Sequence, residues 1–78
     1  MEKTQTIYLL YEQLFLDYLK ECGIEYICEH GLVKIEVKES GIMSRVYNLG
    51  YYFGLWRKSD NEARANYYIR EVKKLFNI

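Results

Sequence analysis

The 78-residue sequence contains no proline, two cysteines and one histidine, and its acidic and basic side chains cancel at eleven each. Each shortage excludes something. Two cysteines cannot build a disulfide scaffold, so a reduced, cytoplasmic setting is the default expectation. With Cys22, Cys28 and His30 as the only soft ligands, spaced without closely set pairs, no structural metal site is expected, and small buried thiols are the better reading. One histidine, placed in a turn, leaves no base for a catalytic triad. No apolar run reaches the ~20 residues of a membrane span, and no leader pattern opens the chain. The glycines make no phosphate loop, because Gly50-x-x-x-Gly54 lacks the following Lys-Ser/Thr. No cofactor is expected.

What is present is a composition that is 50% hydrophobic and rich in tyrosine, with nine of them. That suffices for one small domain spanning residues 1–78, with a core of limited depth. The neutral balance hides a polarity. Residues 1–41 carry eight acidic against four basic side chains, and residues 42–78 carry seven basic against three acidic. Such asymmetry marks either an anionic partner for the basic half or two halves that neutralise each other in the fold.

Periodicity predicts a first helix from about Thr6 to Cys22, with Ile7, Tyr11, Leu14, Phe15, Tyr18 and Cys22 on one broad apolar arc and Gly23 as its stop. Leu9 and Leu16 fall outside that arc, seven residues apart. Either another element covers them, or they form an exposed stripe through which a homodimer is expected. Three strands should follow: Ile24–Glu29, Leu32–Lys38 and Ile42–Asn48, turning at His30-Gly31 and Ser40-Gly41. Pairing Glu29 with Leu32 places Ile24, Tyr26, Cys28, Val33, Ile35 and Val37 on one face, and Val46 joins it from the third strand. A one-residue slip would destroy that sorting. The same register sets Glu25 beside Glu36 and puts Arg45 opposite Glu36 on the open face. That carboxylate pair has no water-excluding pocket, which argues against catalysis. Leu49–Trp56 reads equally as strand or helix, and its aromatics read as core filling. Ser59-Asp60-Asn61-Glu62 reads as a capping box that starts a helix running to about Phe76.

The expected fold is therefore α+β: a two-layer α-β-β-β-α arrangement, with a three-stranded antiparallel meander and both helices on one face. This order resembles that of double-stranded RNA-binding domains. Ser59-Asp60-Asn61-Glu62-Ala63-Arg64 is similar to the approach to that family's second helix, with Asp60 and Asn61 where lysines would stand. His30 falls between the first two strands, where the family also uses a histidine, although in a shorter loop. The resemblance implies direct nucleic-acid binding as an alternative function and transfers no binding residue.

The leading expectation is a non-catalytic interaction module that binds and blocks or regulates a larger protein. The Ile-, Tyr-, Lys- and Glu-rich usage suits a phage or mobile-element protein, a setting in which blocking a host nucleic-acid-processing or defence complex, in the manner of an anti-CRISPR, is a common task. The working surface expected is Arg57, Lys58, Arg64, Tyr67, Arg70 and Lys74. Tyr67, Arg70 and Lys74 share one outward helical stripe, where an aromatic ring gains little from folding and much from docking.

Overall fold

The structure, a computed structural model, describes residues 3–78. It is α+β, with one open three-stranded antiparallel sheet and three helices. The elements run β1 (Thr4–Leu10), α1 (Gln13–Cys22), β2 (Ile27–Glu29), β3 (Leu32–Lys38), α2 (Ile42–Lys58) and α3 (Glu62–Leu75). The class and the three-stranded sheet are as expected, but the order β-α-β-β-α-α replaces α-β-β-β-α. The order that resembled double-stranded RNA-binding domains is thus absent.

The centre of the sheet is legible in its chemistry. In β3, Val33, Ile35 and Val37 point to the helices and are buried, while Lys34 and Glu36 alternate to the open face. The turn into β3 is as expected. His30 and Gly31 both take positive φ, at 51° and 76°, as a two-residue turn of the tight hairpin type requires. Glu29 pairs with Leu32 and Cys28 with Val33. Beyond Ile27 the chain leaves the ladder, so β2 is shorter than the six residues expected. Ile24 still reaches the core from outside the sheet, and Tyr26 packs against it. Cys28 is exposed, contrary to the expected buried thiol, because nothing covers the short edge strand over it; Cys22 is buried.

The second neighbour of β3 is β1, giving the strand order β1-β3-β2 and no meander. Ile7 lies opposite Ile35, and Leu9 opposite Val33. The expected single helix Thr6–Cys22 is therefore two elements. Residues 7–10 are apolar on every position, which satisfies a strand with two apolar faces as well as a helical arc. Leu9 and Leu16 looked misplaced because they obey different periods. Leu9 faces the core from a strand, and Leu16 is 5% exposed inside α1. They form no common exposed stripe, since both pack on the core. Gly23 ends α1 as expected, with φ of 76° and its N–H on the Leu19 and Lys20 carbonyls.

The expected third strand, Ile42–Asn48, is the first half of α2. Gly41 does make a turn, at φ of 72°, but the turn opens a helix. Ile42, Val46, Leu49, Phe53 and Trp56 recur at intervals of four and three, which is a helical face. Along it Leu49 is buried, and Phe53 and Trp56 lie against α1. Val46 is half-buried on that helix. Arg45 meets no strand partner. Its Nε donates to the Leu75 carbonyl at 2.7 Å, and its guanidinium also reaches the Ser40 carbonyl. α3 begins two residues later than the capping box implied. Asn61 is the cap, its Oδ1 accepting from the Arg64 N–H at 2.8 Å. Ser59 instead closes α2, its hydroxyl donating to the Trp56 carbonyl.

α1 is the hub between the helices. Tyr18 is fully buried, its ring 5.0 Å from Trp56 and 5.7 Å from Phe53. Its hydroxyl donates to the Tyr68 carbonyl of α3 at 3.0 Å. Burial, followed by the neighbouring Cys22, holds the Tyr18 phenol far above its ordinary value.

Candidate interaction surface on helices α2 and α3

The basic half of the chain is the α2–α3 pair, and its tyrosines line up across the outer side of that pair. The rings of Tyr47 and Tyr51 stack at 6.3 Å, nearly parallel at 8°. Tyr51 meets Tyr52 edge-on at 5.4 Å, Tyr52 stacks on Tyr68 at 6.1 Å, and Tyr68 meets Tyr67 edge-on at 5.6 Å. Five tyrosines thus form one ribbon from α2 to α3. Three of its rings are exposed, Tyr47 at 72%, Tyr51 at 53% and Tyr67 at 47%, while Tyr52 and Tyr68 are half-buried. In the middle, a shallow hollow of about 250 Å³ is lined by Asn48, Tyr52, Glu71, Lys74 and Leu75. Partial burial, then the charge of Glu71, raises the Tyr52 phenol above its ordinary value.

The ribbon follows from helical spacing. Tyr47 and Tyr51 are one turn apart on α2, so their rings overlap. Tyr52 turns towards α3, where Tyr68 stands. Tyrosine suits such a place: a wide apolar ring with a hydroxyl that remains hydrated.

The expected site residues divide. Tyr67, Arg70 and Lys74 are all exposed on α3, with Tyr67 in the ribbon and Lys74 on the rim of the hollow. Lys74 also pairs with Glu71 at 3.0 Å. Arg64 is exposed in the first turn of α3. Lys58 is exposed at the end of α2. Arg57 is drawn to the other side, against α1: it pairs with Glu12 at 3.1 Å and lies 5.5 Å from the Phe53 ring centre. Tyr47, Tyr51 and Tyr52 were not among the expected site residues. The four-residue spacing of Tyr47 and Tyr51 is the available signal, hidden by reading 42–48 as a strand.

Other chemistry is sparse. Among the described residues, no three His, Cys, Asp or Glu side chains come together as a metal site would need. Glu25 and Glu36 do share a hollow, about 460 Å³, between residues 24–27 and β3, but Lys34 lines it with them. Glu36 there accepts a 2.7 Å hydrogen bond from the Thr6 hydroxyl. No helix among the described residues is long and apolar enough to cross a membrane. Compared with models of known protein families, with curated proteins and with solved structures, the chain matches none.

Proposed function

We propose that this protein is a non-catalytic interaction module which occupies a surface of a larger protein, and that its working face is the tyrosine ribbon of α2 and α3. The observation that carries this reading is the five-ring chain from Tyr47 to Tyr67 with Arg64, Arg70 and Lys74 beside it. Tyrosine and arginine are among the side chains most enriched at binding hot spots. The cations supply steering and register towards an acidic surface, and the rings supply affinity. A role in blocking a nucleic-acid-processing or defence complex, from a phage or mobile element and in the cytoplasm, accords with this mode of action, since such blocking needs only a docking face.

A second reading, direct nucleic-acid binding, is favoured by one feature. The parallel Tyr47 and Tyr51 rings offer open π faces on which bases could stack, next to cations that could meet phosphates.

Affinity capture from a lysate of the native host separates the two readings, using wild type and the Tyr67→Ala/Arg70→Glu double variant. The expected result is a protein that survives nuclease treatment on wild type and is lost from the double variant. Losing one hot-spot tyrosine of ~2 kcal/mol alone weakens binding about 30-fold. Nuclease-sensitive capture favours the second reading. Full capture by a folded double variant overturns the α3 surface and points to the open sheet face around Glu36.

A further inference from the structure

We propose that two copies of this chain pair through the outer edge of β1, forming one six-stranded antiparallel sheet in the order β2-β3-β1-β1-β3-β2. Three features on the same side of the molecule lead there.

The first is the edge itself. β1 is the last strand of the sheet on that side, and over seven residues, TQTIYLL, it carries no charge, proline or bulge. Those are the devices by which edge strands avoid pairing. The Glu39 N–H donates to the Lys3 carbonyl at 2.8 Å. In an antiparallel ladder that makes the odd-numbered residues the ones exchanging bonds with β3. Thr4, Thr6, Tyr8 and Leu10 therefore turn their N–H and C=O groups outward. A two-fold axis through Ile7 places Thr6 opposite Tyr8 and Thr4 opposite Leu10 of the second copy. Every outward group then meets an outward group, and no like charges meet.

The second is an apolar groove of about 480 Å³ beside that edge, between β1 and α2, lined by Gln5, Ile7, Ile42, Met43, Val46 and Tyr47. The third is a stripe on α2 that runs along it. Met43, Tyr47, Gly50 and Gly54 recur at intervals of four, three and four, on one side of the helix. Met43 is 82% exposed, and a side-chain carbon built on either glycine would meet nothing within 4 Å. Mid-helix glycines are costly in stability relative to alanine, and one copy makes no use of the space they leave. α2 runs in the direction of β1: its start lies by Gln5 and Ile7, and its end is tied by Arg57 to Glu12. The two-fold that joins the strands keeps both helical layers on the same face of the sheet. It brings the two stripes towards each other, with the glycines permitting close approach.

A second copy fits better than an unrelated peptide because strand, groove and stripe are all uncharged and are self-complementary about one axis. One-tenth of the 5463 Å² surface of each copy, on the order of 1,000 Å² in total, would be buried, near the lower bound of specific interfaces. Tyr67, Tyr68 and α3 stay outside the contact, while Tyr47, at the other end of each ribbon, is drawn into it.

Sedimentation equilibrium of the full chain from about 5 to 500 µM is the test, with the concentration range set by an interface of that size. The expected result is a monomer–dimer equilibrium for wild type, weakened at least tenfold both by Thr6→Pro and by Gly50→Arg. Thr6→Pro removes an N–H that faces outward and replaces no bond to β3. Gly50→Arg enters open space and improves helix propensity, so its melting temperature should be unchanged or higher while the dimer is lost. That variant decides the matter if Thr6→Pro does not fold. A wild type that stays monomeric throughout, or a dimer that survives Gly50→Arg undiminished, overturns the proposal.

Discussion

Replacing Tyr18 by phenylalanine should cost about 1 kcal/mol, and replacing it by alanine about 3–5 kcal/mol, a large share of the total stability. The ring is fully buried between Phe53 and Trp56, and phenylalanine keeps it in place, so no cavity opens. What is lost is the 3.0 Å hydrogen bond from the hydroxyl to the Tyr68 carbonyl. That carbonyl sits inside α3 and keeps its helical partner four residues on, so it is not left unsatisfied. The loss is then the net value of one hydrogen bond, about 0.5–1.5 kcal/mol. For a domain of this size that lowers the melting temperature by roughly 4–8 °C. Alanine removes the ring as well, at about 3–5 kcal/mol, against a total stability of about 4–12 kcal/mol for 78 residues. Urea unfolding followed by far-UV circular dichroism and by the fluorescence of Trp56, the only tryptophan, measures both variants. Trp56 touches the substituted ring, so the two probes must give coincident transitions. A phenylalanine variant as stable as wild type would show that the α1–α3 bond contributes nothing. A loss above ~3 kcal/mol would show that the hydroxyl supports more than its bonds to the Tyr68 carbonyl and Cys22.

Stability should also fall as pH rises from about 9 to about 11. Burial pushes the Cys22 thiol up from near 9.0 to about 11, so in that window the unfolded chain ionises while the folded chain holds its proton, and unfolding is favoured. Thermal melts across the window should show the decline, and Cys22→Ala should lessen it below about pH 10, above which the buried Tyr18 phenol acts in the same direction. Ile35→Ala, at the centre of the sheet and 1% exposed, should destabilise by about 2–5 kcal/mol in denaturant titrations, because β1, β2 and the helices all meet around β3. Arg45→Ala should free the end of α3 by removing the bond to the Leu75 carbonyl. Hydrogen exchange of the amides of residues 73–78 should quicken, with α1 unaffected.

The parts of this fold written in short stretches of sequence are those whose physics is local. A two-residue turn of the I′ type takes positive φ at both positions, so His30-Gly31 announces the hairpin and, with it, the Glu29–Leu32 register. Gly23 ends α1 for the same kind of reason. The outward stripe of Tyr67, Arg70 and Lys74 follows from the period of α3 alone. The remaining choice was which segment completes the sheet beside β3. Residues 4–10 and 42–48 each fit a helix or a strand by their own pattern, since apolar side chains crowd both faces of the first and both periods run through the second. That choice is decided by contacts far apart in the chain. Ile7 and Leu9 close on Ile35 and Val33 across the ladder, and 42–58 as a helix buries Leu49 and sets Phe53 and Trp56 on Phe15 and Tyr18. The tyrosine ribbon has the same origin. Tyr47, Tyr51 and Tyr52 meet Tyr68 and Tyr67 only because two helices pack side by side, and the energy of such packing depends on surfaces that no local window contains.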